Sequence, residues 1–191
     1  MASYRPSKSG SDLCLHIVYS FFLLLTAVLG TVAIASPFWL TTPSGLTGTS
    51  QAIGIVSFCS DKNDLDTCER YGDSPKDIPI EYWRGTAGLF VFAMMVTWLC
   101  FIFSLFTCCA CQGLTRPQIG LLFLSAICVV IALFLFGAGL KDAGFCGSTK
   151  RFDRGDCDLG YSGGLGVATF VFLIISATIS IFVKPAEDQI A

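Results

Sequence analysis

Cysteine is the residue type in this chain whose spacing points to chemistry. There are ten cysteines against a single histidine, and two close pairs stand in polar stretches, Cys59 with Cys68 and Cys146 with Cys157. Pairs at this spacing suit hairpins closed by disulfides, which persist only in an oxidising compartment. The alternative is free thiols, which are unusual in exposed loops because unpaired cysteine is mostly buried. We therefore predict two disulfides, Cys59–Cys68 and Cys146–Cys157.

Other side-chain chemistries have little support. His16 is the only histidine and stands alone at the start of an apolar segment, so no Ser-His or Cys-His couple is available. We expect no enzyme, no cofactor and no metal site. Four acids lie between and beside the first cysteine pair and are interpreted as a solvated hairpin tip: Asp61, Asp64, Asp66 and Glu69. The net charge of −2 gives no reason to expect nucleic acid as a partner.

Four long apolar segments must position these cysteines. Hydrophobic residues make up 53% of the chain and charged residues only 14%, whereas soluble domains carry roughly a quarter charged residues. Each segment is long enough to cross a hydrocarbon core of about 30 Å, and backbone in lipid requires helices. The predicted spans, all without charged residues, are 15–36, 85–107, 119–140 and 160–183. We expect one domain, 14–184.

Two signals disagree on orientation. Lysine and arginine are more frequent in the long loops, 40–84 and 141–159, than at the terminal side, which by the positive-inside rule places those loops in the cytoplasm. The predicted disulfides place the same loops outside. Charge counting weakens in long loops where acids interleave with bases, so the cysteines take precedence. Segments 1–13 and 185–191 are then cytoplasmic, and we expect a plasma-membrane protein.

The first long loop carries strand patterns. Residues 50–59 (SQAIGIVSFC) predict one strand that ends at the first cysteine, and 38–42 predict another, so a small sheet should rest on the bundle. Trp39 follows the first span, where it can anchor the chain at the membrane interface, pack under the sheet, or do both. Arg84, at the start of the second span, can pair with loop acids, cap loop carbonyls or snorkel.

Together these residues resemble the claudin and peripheral myelin protein superfamily. Its pattern has a Trp after the first span, a Gly-hydrophobic step before two cysteines, and an Arg at the second span. The matching positions here are Trp39, Gly54, Ile55, Cys59, Cys68 and Arg84. The resemblance covers about 15–184. It implies a mainly α-helical membrane protein, a left-handed bundle of four transmembrane helices with a small extracellular β-sheet.

Two features of the sequence depart from the claudin pattern and point to another branch of the superfamily. Val56 stands where claudins have a second Trp, and the second loop has its own pair, Cys146 and Cys157, which claudins lack. The segment around that pair, 145–160, is more similar to the lipoma-fusion-partner-like tetraspans, a sister branch.

The resemblance implies a non-enzymatic tetraspan that acts through protein–protein contacts of its disulfide-bonded loops in cell–cell junctions or adhesion. The alternative is an auxiliary subunit that controls the trafficking or gating of an ion channel or receptor complex. The generic motif and the acidic first loop favour the first function, whereas Val56 and the second cysteine pair favour the other. Expected partners are membrane lipids and membrane proteins, either further copies of the chain or a channel.

Two further patterns concern the spans. Cys108, Cys109 and Cys111 cluster at the cytoplasmic end of the second span, where they are candidates for palmitoylation or are inert thiols. Small residues recur every four positions at the start of the fourth span, at Gly160, Gly164 and Ala168. This spacing lets helices approach closely, within the bundle or between copies of the chain.

Overall fold

The chain forms a four-helix membrane bundle that carries a small antiparallel sheet. A computed structural model describes residues 10–42, 51–109, 116–143, 152 and 155–183. The helices are α1 (Gly10–Ala35), α2 (Glu81–Cys109), α3 (Arg116–Ala143) and α4 (Tyr161–Phe182). All four are long and apolar enough to span a membrane. The four predicted spans are confirmed as helices, and the handedness of the bundle remains a prediction.

The helices form a ring in which α1 packs on α2 and α4, and α3 packs on the same two helices. Small and hydroxyl side chains occupy the packed faces because lipid tails give helices no hydrophobic reason to associate, so close approach must hold them together. The buried hydroxyls of Thr26, Thr97 and Thr169 each donate to the carbonyl four residues earlier, over 2.7, 2.8 and 2.8 Å. Their burial therefore leaves no donor unsatisfied.

The sheet has five short strands, which come from both predicted loops. They are β1 (Leu40–Thr41), β2 (Ala52–Ile53), β3 (Ser57–Cys59), β4 (Cys68–Arg70) and β5 (Asp158–Leu159), in the order β4-β3-β2-β1-β5. Every neighbouring pair is antiparallel. The sheet lies beyond the last residue of α1 and the first residues of α2 and α4. We call this the sheet end of the bundle and the opposite end the terminal end.

Two sequence expectations need correction. The single strand predicted over 50–59 is wrong: β2 and β3 form a hairpin, and the Gly54 amide donates to the Ser57 carbonyl over 2.8 Å to close its turn. The second span begins at Glu81 rather than at position 85, so its first turn contains charge. An acidic residue is favourable there because its charge complements the positive end of the helix dipole.

Candidate functional site at the sheet end

Trp39 lies at the centre of the sheet end. Its side chain is 1% exposed, and its ring centroid lies 6.0 Å from that of Phe90 on α2 and 4.8 Å from that of Phe136 on α3. The indole nitrogen donates to the Ala33 carbonyl near the end of α1 over 2.6 Å. Trp39 therefore packs under the sheet, and the alternative role of interface anchor is wrong because the ring does not reach the bundle surface.

Gly54 and Ile55 form the turn that seats the sheet on α1. A Cβ at Gly54 would lie 2.7 Å from both the Pro37 Cα and the Ser36 carbonyl oxygen, so only glycine fits against this backbone. Ile55 is fully buried. The turn thus requires a residue without a side chain followed by an apolar one, which gives the Gly-hydrophobic step a physical reason.

The first predicted disulfide is confirmed. Cys59 and Cys68 are bonded, and they are register partners in the β3–β4 pair. The bond therefore fixes the register of these two strands. Cys157 is buried at 1% exposure and is also disulfide-bonded. Its predicted partner Cys146 lies outside the described residues, so that pairing stays a prediction.

Arg84 ties the loop to the first turn of α2. Its Nε donates to the carbonyl of Ile78 over 2.7 Å. Of the three roles that the sequence left open, the structure shows the capping of a loop carbonyl. The segment before α2 is thereby held against the helix, and the whole motif from Trp39 to Arg84 is brought together at the sheet end.

Residues 15–184 match the profile of the lipoma HMGIC fusion partner-like proteins, a tetraspan family. This match covers most of the chain. The chain belongs to the lipoma HMGIC fusion partner-like family. The narrower of the two relationships suggested by the sequence is thereby confirmed, while the wider one to claudins remains a resemblance. A comparison with curated proteins found no match.

In this member of the lipoma HMGIC fusion partner-like family, the three small residues at the start of the fourth span lie in different environments. The Gly160 amide donates to the Trp39 carbonyl over 2.9 Å, and a Cβ at Gly160 would collide with the Phe38 carbonyl oxygen. Gly164 is exposed with open space around it, and Ala168 is half-buried. Packing of Gly164 within the bundle is therefore wrong. Its place is taken by Gly166, where a Cβ would lie 2.8 Å from the Trp39 ring. Self-association through Gly164 stays a prediction.

The acids of the first hairpin are partly used by the turn itself. The carboxylate of Asp61 accepts from the Asn63 amide over 2.9 Å, and that of Asp64 accepts from the Asp66 amide over 3.1 Å. Leu65 lies between Asp64 and Asp66, and its side chain is 69% exposed. Across the described residues, no three His, Cys, Asp or Glu side chains converge as metal ligands would.

The cysteine cluster is only partly visible. Cys108 and Cys109 belong to the last turn of α2, whereas their side chains and the whole of Cys111 lie outside the described residues. Palmitoylation of Cys108, Cys109 and Cys111 stays a prediction.

Two sets of contacts at the sheet end were not predicted from the sequence. The Ser162 hydroxyl donates to that of Ser36 over 2.6 Å, and the Ser36 hydroxyl donates to that of Tyr161 over 3.1 Å, so α1 and α4 are joined by polar contacts. Trp83 is fully buried, and its ring stacks on Phe136 at 5.4 Å. The position of Trp83 immediately before Arg84 of the motif could have indicated the contact with Phe136.

Proposed function

We propose that this tetraspan is an auxiliary subunit that binds another membrane protein, an ion channel or a receptor, and controls its trafficking or gating. It acts without catalysis, in the plasma membrane, with the sheet end outside the cell. Membership of the lipoma HMGIC fusion partner-like family agrees with the two departures, Val56 and the second cysteine pair, that favoured this function over junction formation.

The observation that carries the proposal is the joining of sheet and helices into one hydrogen-bonded unit. The Trp39 indole is bonded to α1, the Gly160 amide bonds the Trp39 carbonyl, and the Ser162 amide donates to the Phe38 carbonyl over 3.0 Å. A partner that contacts the sheet therefore also fixes the position of α1 and α4 in the membrane. Such coupling suits a subunit that reports an extracellular contact to the spans of a channel.

The test is affinity purification of the tagged full-length protein from native membranes, followed by chemical cross-linking. We expect one channel or receptor in stoichiometric amount, with cross-links both to the sheet and to a helix. Recovery of copies of this chain alone, or cross-links confined to the sheet, would contradict the proposal.

A second candidate, homophilic cell–cell contact, is favoured by the exposure of Leu65. A large apolar side chain at the tip of an acidic, disulfide-bonded hairpin is available to a facing molecule. In co-cultures of expressing and non-expressing cells, this function predicts enrichment only where two expressing cells meet. Leu65→Asp should abolish that enrichment, and Lys62→Gln in the same turn should preserve it. Even distribution over the cell surface would remove this candidate.

A further inference from the structure

A cleft opens between the sheet and the bundle on one side of the sheet end. Its volume is about 520 Å³, within the roughly 300–1,000 Å³ of ordinary ligand pockets. Its upper wall is formed by the β3–β4 pair and the loop after β4, and its floor by the end of α1 and the first turns of α2. Arg84 and Ile78, which are joined by the hydrogen bond described above, are among the residues that line it.

The upper wall is cationic and offers hydrogen-bond donors. Ser57 and Arg70 are register partners on β3 and β4, so their side chains leave the same face of the sheet, and both line the cleft. Arg84 lines it from α2. Asp73 is the acid among the lining residues, which leaves two guanidinium groups against one carboxylate.

Ser57 supplies an independent indication of a ligand. The residue is 8% exposed, and its hydroxyl makes no hydrogen bond to any part of the chain that the structure describes. A buried hydroxyl without a partner costs about 1–3 kcal/mol relative to a satisfied one. Ser57 lines the cleft, so rotation of its side chain would let this hydroxyl donate to a ligand oxygen that also faces Arg70 across the strand pair.

The floor is apolar and continuous with the lipid-facing surface. It is formed by Ile34 and Ala35 on α1 and by Ala87, Gly88 and Val91 on α2. All five belong to the predicted membrane spans, and Val91 is 44% exposed. A hydrocarbon chain can therefore reach the floor sideways from the bilayer, while the head attached to it lies at the cationic wall.

We propose that this cleft binds one phospholipid from the leaflet on the sheet side. The phosphate lies against Arg70 and Arg84 with one oxygen on the Ser57 hydroxyl, and the start of an acyl chain lies on α1 and α2. An acidic peptide from a partner protein would suit the upper wall, but it would leave the apolar floor uncovered. A lipid is favoured because the cationic wall suits its phosphate and the apolar floor, which belongs to the membrane spans, suits its acyl chain.

The test uses the full-length protein in nanodiscs that contain a phosphatidylcholine with a diazirine near the glycerol end of one acyl chain. After illumination, labelled peptides are located by mass spectrometry. We expect strong labelling of the first turns of α2. Gly88→Leu fills the cleft from an open, exposed position where a side chain meets nothing within 4 Å. It should reduce that labelling about fivefold or more.

Matched variants keep the test decisive. Gly164→Leu adds the same side chain at another open position near the same end of the bundle, and it should leave α2 labelling unchanged. Arg70→Gln should reduce labelling about three- to tenfold because a charge-assisted bond is lost. Lys62→Gln, at an exposed cation outside the cleft, should not reduce it. Retention of the wild-type melting temperature shows that each variant is folded.

Three results would overturn the proposal. The first is equal labelling by a diacylglycerol probe with the same chains and no phosphate. The second is labelling that Gly88→Leu or Arg70→Gln leaves unchanged. The third is a cleft that lipid does not label and that cross-links instead to a partner protein, which would assign the cleft to a peptide.

Discussion

The indole of Trp39 joins three parts of the molecule through a single side chain. It packs on α2 and α3 through Phe90 and Phe136, and it bonds the end of α1 through the Ala33 carbonyl. Its own carbonyl accepts from Gly160 at the start of α4. Replacement of its side chain would therefore disturb contacts of the sheet end with α1, α2 and α3.

Trp39→Phe tests the indole hydrogen bond. The variant keeps an aromatic ring but leaves the Ala33 carbonyl unsatisfied and a small cavity beside it. We expect a loss of about 2–3 kcal/mol of unfolding free energy, measured by thermal unfolding in detergent. Trp98→Phe is the matched control, since half-buried Trp98 donates to a side-chain hydroxyl, that of Thr31, and its loss should cost less than about 1 kcal/mol. Equal losses would contradict a special role for Trp39.

Tyr71 gives the sheet end a predicted dependence on alkaline pH. Its ring stacks on Phe58 at 5.4 Å, its hydroxyl donates to the Gly54 carbonyl over 3.2 Å, and burial raises its pKa from 10.0 to about 12. The folded protein therefore holds this proton more tightly than the unfolded chain does. The resulting stability is complete below pH 10 and is lost as pH rises through 12.

The measurement is the melting temperature of wild type and Tyr71→Phe across this pH range. Wild type should lose stability more steeply between pH 10 and 12, because the variant has no hydroxyl to ionise at this site. Parallel profiles would show that Tyr71 does not titrate in the folded sheet end.

At the scale of elements, the four-helix bundle and the presence of a small sheet were predictable from sequence, whereas the bounds and turns of its strands were not. Uninterrupted hydropathy is a local property, so the four spans could be located without knowledge of their partners. The turn at Gly54 could not be located in this way, because it depends on residues distant in sequence. A Cβ at Gly54 would lie only 2.7 Å from the backbone of Ser36 and Pro37. The lipid cleft was likewise hidden, since it depends on which face of β3 and β4 lies over α1 and α2.

The β3–β4 pair should depend on its disulfide. Closing a loop of about ten residues removes roughly 2.5–3 kcal/mol of chain entropy from the unfolded state. The double variant Cys59→Ala with Cys68→Ala should therefore lose stability of this order in thermal unfolding. It should also weaken phospholipid labelling of α2, because Ser57 and Arg70 would lose their fixed register.

A control separates the two expected disulfides. Reductant should further destabilise the double variant, since Cys157 is bonded as well. A double variant as stable as wild type would show that the strands hold their register without the bond.

At the scale of the whole molecule, the orientation in the membrane is inferred from the disulfides, which place the long loops outside the cytoplasm. The distribution of lysine and arginine favours the opposite orientation. Leu65→Asn creates an Asn-Asp-Thr acceptor for N-glycosylation at an exposed turn. If the sheet end lies outside the cytoplasm, the variant should migrate as a larger species that glycosidase reduces to wild-type size. Leu65→Gln removes the same side chain without an acceptor and should migrate as wild type.

An epitope tag on the N-terminus completes this test. It should be stained only after cells are permeabilised. Staining of intact cells, together with an unmodified Leu65→Asn variant, would reverse the orientation and place the long loops in the cytoplasm.

The strand order has a consequence for biosynthesis. β1 emerges early in translation, yet its second neighbour, β5, is made only after α3, and the Trp39 ring is covered only when Phe136 and Gly166 arrive. Until then the nascent chain exposes the unpaired edge of β1 and the apolar ring of Trp39, and both can bind other chains. Both surfaces are therefore covered only once β5 and α4 have been made. A ribosome that stops before α4 releases a product with the features that chaperones retain.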